Sequence, residues 1–384
     1  MNPVEDHPEP IPVDNSRGLA LNSQPEPIRV AFWNLQNLFD IETSSIAAEL
    51  EYTPVNGWDR RAFDQKLRGL VQVIQGMFDG QGPDLLGISE IENERVAKRL
   101  LHDLGRSDYQ LALPVQAENS SLDVCLIYSD KVFGFEPRQC HSHLVDRRFP
   151  TAEILQAELT VLHQQAALTV FVNHWPGSRG GGREREAGRI ATAAHLSRLI
   201  NEQLKMSRRE YLELANTDVA LFELNERWNR NLLVMGDLNA EPWEPAVREI
   251  LTAEYGTRTL EAGIDFVRDR LPSYRAYSEK TVGLFNPMWS LLAEPNQGTT
   301  LSEDGSRLML TDQFLLSRGL YYGRRGLRAM RRGNDASDPV PEVGLHRPAE
   351  LLQEDGNPRP FQLETQTGIS DHFPITMRLQ TVSG

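Results

Sequence analysis

Acids, amides and histidines recur in this 384-residue chain at one kind of place, the edge of a short apolar run. Asn34 closes IRVAFWN, Glu90 closes DLLGISE, and Asn173 and His174 close LTVFVNH. Asp237 closes NLLVMGD, with Asn239 two residues further on; Asp312 lies within RLMLTDQFLLS; Asp371 and His372 stand directly before the apolar end of TGISDHFPITM. Burying such groups unpaired is costly, so they should converge on partners, on a ligand or on a metal. In open α/β sheets the carboxyl ends of strands are where sites form. The donor set is rich in oxygen and holds no cysteine, which suits a hard cation, Mg²⁺ or Mn²⁺ rather than Zn²⁺. One Glu, one Asn and one Asp match a Mg²⁺ that keeps several waters and takes phosphate oxygens from a substrate. The histidines, titrating near neutrality, suit phosphate contact or proton handling. The amides of Asn34, Asn173 and Asn239 can donate to phosphate oxygens without adding negative charge.

The elements that must position these groups can be read from the same runs. Length and β-branched or aromatic content predict strands over 28–34, 84–90, 123–129, 168–174, 231–237, 307–317 and 373–379. Apolar residues three and four apart predict helices over 64–78 and 186–204. Strands alternating with helices indicate α/β layering. Residues 1–27, rich in Pro, Glu and Asn, read as a disordered leader, and 28–384 as one catalytic domain. Two segments look like insertions: 205–230, a prolonged helix or a helical pair, and 318–366, rich in Gly, Arg, Pro and Asp. The second is long for a structureless connection, which makes it a functional loop or a partly disordered one.

The formal charge of −14, from 54 acidic and 40 basic residues, argues against general adhesion to nucleic acid or to an anionic membrane. A nuclease with a local basic rim and a divalent cation remains compatible with it. Cys125 and Cys140 make no disulfide framework, and Cys125 in DVCLIY reads as a core thiol. No basic stretch leading into an apolar one opens the chain, and no run of about 18 apolar residues occurs. The expectation is a cytoplasmic protein without a membrane span.

Taken in order, FWNLQNL, ISEIEN, VNHWPGSRGG, VMGDLNAEP, TDQFLLS and GISDHFPI span residues 30–376 and carry a family resemblance. The sequence resembles the endonuclease/exonuclease/phosphatase superfamily, and "NHWPGSRGG" favours its bacterial branch of uncertain substrate. The resemblance implies a four-layer α/β sandwich of two packed mixed β-sheets flanked by helices. It implies that Glu90 is the principal metal-ligand carboxylate, with Asn34 and Asp371 nearby, and that Asp237 orients or deprotonates the attacking water. Asn239 and His174 resemble the residues that hold the scissile phosphate; His372 matches a second phosphate-side histidine, and Asp312 its orienting partner. Asn173 and Arg179 fall in with substrate binding. Gln36 stands where many nucleases of the family carry Asp, and the segment before Asp312 is longer than in compact members.

The expected activity is Mg²⁺-dependent hydrolysis of a phosphoester by in-line water attack, with a nucleic-acid phosphodiester as the leading substrate. A phosphomonoester or phospholipid headgroup is the second reading, and a catalytically silent binding module on the same scaffold the third. Asp237 and Asn239 also fit an ordinary Asx-turn, and Asp312 a structural carboxylate. GSRGGGRERE supports a solvated loop and a phosphate-binding one equally. RRGLRAMRR at 324–332 reads first as a solvated basic stretch and second as a contact for nucleic acid.

Overall fold

A computed structural model describes residues 26–42, 52–115, 122–145, 153–177, 182–261, 271–332 and 339–382. The leader expected over 1–27 therefore lies almost wholly outside the described residues.

Two mixed sheets face each other. The first contains β1 (Ile28–Leu38), β2 (Leu85–Ile91), β3 (Tyr109–Ala112) and β4 (Val124–Ser129). The second contains β5 (Phe133–Leu144), β6 (Glu153–Val161), β7 (Ala166–His174), β8 (Leu232–Asp237), β9 (Ala253–Glu254) and β10 (Leu284–Phe285). A two-stranded ribbon, β11 (Thr300–Leu301) with β12 (Leu308–Met309), leads to β13 (Asp312–Leu316), which belongs to the second sheet. The chain then returns to the first sheet through β14 (Leu327–Ala329), β15 (Val343–Leu345) and β16 (Ile375–Thr381). The strand orders are β14-β16-β1-β2-β4-β3, with β15 also on β16, and β5-β6-β7-β8-β13-β10-β9.

The apolar runs lack a clean alternation because central strands are covered on both faces. Leu233 and Met235 of β8 point into the core between the sheets, whereas Leu232 and Val234 meet the helices outside. In β1, Val30 and Phe32 face the other sheet, and Ala31, Trp33 and Leu35 face outward. The outer face of the first sheet packs on α1 (Arg60–Gly80) and α2 (Glu94–Leu104). α1 is capped by Asp59, whose side chain accepts from the Ala62 amide, and buries Phe63, Leu67, Leu70, Ile74 and Met77 at helical spacing. The second sheet is covered by α3 (Gly182–Leu204), α4 (Arg208–Leu214) and α5 (Ala220–Trp228). Helix–sheet–sheet–helix is the four-layer sandwich expected. The 205–230 segment is a helical pair, α4 opening on a capping box between Ser207 and Glu210.

The 318–366 segment is not structureless. It supplies β14 and β15, both paired antiparallel with β16, because their short apolar runs extend an edge that would otherwise be open. Its register also fixes where the arginines of 324–332 lie. β14 pairs with Leu379–Thr381, the far end of a strand whose near end follows His372. That separation is about 20 Å at strand rise. Arg325 pairs there with Glu226, and Arg324 lies over the Tyr322 ring. Arg331 is buried, bonded to the carbonyls of Tyr321 and Pro339. The stretch does not rim the end of the sandwich that carries His372.

Gly236 marks a tight contact beside that end. A Cβ there would lie 2.3 Å from the Asn173 carbonyl oxygen of the paired strand, and backbone cannot move aside cheaply. Gly236→Ala should therefore destabilise the protein by about 1–3 kcal/mol or more. Denaturant unfolding of the two proteins checks this, an unchanged midpoint being the contrary result.

Candidate active site

Register brings the chemistry-bearing residues together. β7 and β8 run parallel with His174 opposite Asp237, and β8 and β13 run antiparallel with Asp312 opposite the same Asp237. Three adjacent strands thus place His174, Asp237 and Asp312 in one row across the second sheet. On the first sheet, β1 and β2 are parallel with Asn34 opposite Ser89, the residue before Glu90. β1 then bulges: Gln36, Asn37 and Glu90 all have positive φ, at 53°, 56° and 60°. The bulge turns the Asn37 amide onto Glu90 Oε2 at 2.8 Å. The Asn34 side-chain amide donates to Glu90 Oε1 at 2.9 Å and to Asp237 Oδ2 at 3.1 Å, tying the two sheets together.

The turn before β16 is fixed to β1 at two points. Ser370 Oγ donates to the Asn34 carbonyl and accepts from the His372 amide, and Trp33 Nε1 donates to the His372 carbonyl at 2.8 Å. His372 Nδ1 lies 2.7 Å from Asp312 Oδ2, while Nε2 faces Asp237 Oδ2 at 3.8 Å and Asp371 Oδ1 at 4.0 Å. His174 is held in the same way: Nδ1 lies 2.9 Å from both oxygens of Asp123, and Nε2 is 3.6 Å from Glu90 Oε1. Two imidazoles therefore each lean one nitrogen on a carboxylate and turn the other to the acids between them.

Burial opposes charge on both rings, yet the carboxylates win. Asp123, then Glu90 and Asp237, raise His174 to about 10. Asp312, Asp237 and Asp371 raise His372 well above its usual value. Burial raises the Glu90 carboxyl, helped by Asp371 and opposed by His174, and burial likewise raises Asp312 against the pull of His372. The surrounding carboxylates thus favour the protonated form of both rings.

Asp123 was not among the candidates read from the sequence. It precedes an apolar strand rather than closing one. Because β4 runs antiparallel to β2, with Val124 opposite Ser89, the start of β4 lies at the same edge as Glu90. An acid heading DVCLIYS was the available signal. Asn173, by contrast, does not join the cluster. It is fully buried, its amide directed to the carbonyls of Phe171 and Met235 and its oxygen accepting from Trp175 Nε1. Strand alternation turns it away from the face that His174 occupies. Asp237 and Asn239 do form the Asx-turn, the Asn239 amide donating to Asp237 Oδ1 at 2.9 Å, and this leaves Asp237 Oδ2 for Asn34. The Asn239 side chain, at φ 45°, donates to the Trp175 carbonyl. Gln36 binds both backbone groups of Phe361 and points away from the acids. Arg179 lies outside the described residues.

Among the described residues, Asp237, Asp312 and His372 are the group whose ligand atoms lie closest together, all within 4.8 Å. Within this trio the 2.7 Å Asp312–His372 contact is a hydrogen bond. Glu90 and Asp371, about a fifth to a quarter exposed, present oxygen donors of the kind a hard cation takes, whereas the Asn34 oxygen accepts from the Gln36 amide at 2.9 Å.

The comparisons with known proteins agree with this architecture. The profile of the Endonuclease/Exonuclease/phosphatase family matches residues 29–381. No curated protein matches the sequence. Among solved structures, an endonuclease/exonuclease/phosphatase family protein from Bacteroides thetaiotaomicron superposes with a TM-score of 0.51 at 12% identity, covering 93% of this chain and 98% of that one. The mannosyl-6-phosphatase Bt3783 of the same organism gives 0.49 at 13% identity, covering 93% and 100%. The human Nocturnin catalytic domain gives 0.44 at 16% identity, covering 93% and 95%. With a family profile spanning nearly the whole described chain and the sandwich it implies in place, the protein belongs to the Endonuclease/Exonuclease/phosphatase family.

Proposed function

We propose that this protein is a divalent-metal-dependent phosphoesterase that cleaves its substrate by in-line attack of water. The observation that carries this reading is the pair of buried imidazoles, each braced by a carboxylate at Nδ1, on either side of Asp237. Cationic His174 and His372 offer Nε2–H donors to the non-bridging oxygens of a phosphate lying between them. Asp237 accepts the proton of a water aimed at phosphorus, its orientation fixed by the Asn34 and Asn239 contacts. Asp123 and Asp312 fix the orientation of the two rings and stabilise their charge, as the acid of an Asp–His pair does elsewhere. A Mg²⁺ or Mn²⁺ held by Glu90, Asp371 and Asn34 would supply charge stabilisation to the developing phosphorane and leaving oxygen.

The substrate reading shifts with the fold. A nucleic-acid phosphodiester, the leading expectation, calls for a basic track along the cleft. Arg324, Arg325 and Arg328 sit at the far end of β16 instead. Arg185, at the start of α3, donates to the Gly177 carbonyl, and a Cβ on Gly177 would lie 3.3 Å from Asn239 Oδ1. Among the described residues, Arg185 brings a guanidinium close to Asn239, a group suited to a phosphate, which favours the second reading, a small phosphoester.

Three outcomes test this. Hydrolysis of a chromogenic phosphoester should vanish in EDTA and return with Mg²⁺ or Mn²⁺; full activity in chelator would remove the metal from the mechanism. Asp312→Asn should lower turnover on the order of 10³-fold or more, as loss of the orienting acid does in other Asp–His pairs, with the unfolding midpoint little changed. A near wild-type rate would make Asp312 structural. Replacing Arg324, Arg325 and Arg328 by Gln should leave both small-diester cleavage and the salt dependence of long-strand binding unaltered. A shallower salt slope would restore the nucleic-acid reading.

A further inference from the structure

Lys66 has no part in the chemistry above, and it is fully buried among the apolar residues of α1. Its Nζ donates to the Ile369 carbonyl at 3.1 Å and lies 4.9 Å from the centre of the Phe361 ring. Holding a carbonyl does not require a charge. A glutamine amide would do so with a far smaller desolvation penalty, since burying an ammonium is among the costliest substitutions a core can carry. Two carboxylates oppose the penalty only in part: burial pulls the Lys66 ammonium down to about 7, against the attraction of Asp371 first and Glu90 second.

The place it holds is also tight. Ile369 comes two residues before Asp371, and Gly368 before it has φ +89°, where a Cβ would lie 1.9 Å from the Pro360 carbonyl oxygen. Phe361, under the ammonium, is clamped in turn by Gln36. One fully buried side chain thus joins α1, the 360–369 segment and the start of the Ser370–His372 turn.

We propose that Lys66 is the positioning residue for Asp371: by its bond to the Ile369 carbonyl and its charge it sets the Asp371 carboxylate beside Glu90, so that the oxygen face of the site is assembled before a cation arrives. This rests on the phosphoesterase reading for its purpose, while the bond from Lys66 to the carbonyl two residues before Asp371 belongs to the protein itself. A lysine that merely filled the core would act independently of Asp371.

The test is a double-mutant cycle of Lys66→Met and Asp371→Asn in the full chain, read in two ways. In chelator, denaturant unfolding should show that Lys66→Met changes the unfolding equilibrium constant by a factor at least ~5-fold different in the wild-type and Asp371→Asn backgrounds, the size expected of coupled neighbours. Mn²⁺ titration followed by electron paramagnetic resonance should show the dissociation constant changed about tenfold or more by Lys66→Met in the wild-type background, and about twofold or less once Asp371 is Asn. Lys66→Arg, which keeps donor and charge, should restore most of the wild-type Mn²⁺ constant. If Lys66→Met does not fold, Lys66→Gln carries the same cycle. Equal factors in both backgrounds, in both readouts, would overturn the proposal. Coupling in chelator with no Mn²⁺ binding by the wild type would instead overturn the metal reading and leave the pairing of Lys66 with Asp371 standing.

Discussion

One side-chain amide joins the two halves of the site. Asn34 Nδ2 donates at once to Glu90 on the first sheet and to Asp237 on the second. A sandwich keeps its sheets apart at the thickness its core side chains set, and nothing in that core controls polar groups at the rim. A bifurcated bond from a fully buried asparagine does, because each carboxylate oxygen it leaves would otherwise be buried without a partner. The β1 bulge after Asn34 serves the same end by aiming the next free backbone amide, that of Asn37, at the other oxygen of Glu90.

Five carboxylates, those of Glu90, Asp123, Asp237, Asp312 and Asp371, come within reach of one another at this rim. Such a cluster would repel itself apart or take up protons unless cations were interleaved with it. His174 sits between Asp123 and Glu90, and His372 between Asp312 and Asp237. Lys66 approaches from beneath the turn. The raised affinity of both imidazoles for protons is the direct consequence, and it is the property a phosphate-binding histidine needs. The acidity of the whole chain is therefore a poor guide to the charge a substrate meets.

What the sequence revealed, and what it hid, follows from how the information is encoded. The central strands were legible because they are buried on both faces and read as continuous apolar runs. Residues closing parallel strands, such as Glu90, His174 and Asp237, were legible because direction alone assigns them to one edge. Asp123 was not, since its position at that edge depends on β4 running antiparallel to β2, a pairing that composition does not specify. Asn173 was assigned to the site because it neighbours His174, yet strand alternation puts the two on opposite faces. The arginines of 324–332 looked close to the site by their sequence distance from GISDH. Pairing with the last residues of β16 sends them to the other end of the molecule, a long-range register that no local pattern carries.

The backbone shows where stability has been given up for geometry. Gln36, Asn37, Glu90 and Asn239 all hold positive φ without being glycine, a conformation that costs L-residues free energy and persists only when the surroundings fix it. Each has such a fixing contact: Gln36 on Phe361, Asn37 on Glu90, Asn34 on Glu90, and Asn239 on both Asp237 and the Trp175 carbonyl. Other non-glycine residues share that conformation, among them Phe78, Asp79 and Thr252, but these four flank the acids Glu90 and Asp237. A site that had to rearrange on binding would have no reason to hold these angles beforehand. The network therefore presents its groups in place, so that little ordering of the protein is left for a ligand to induce.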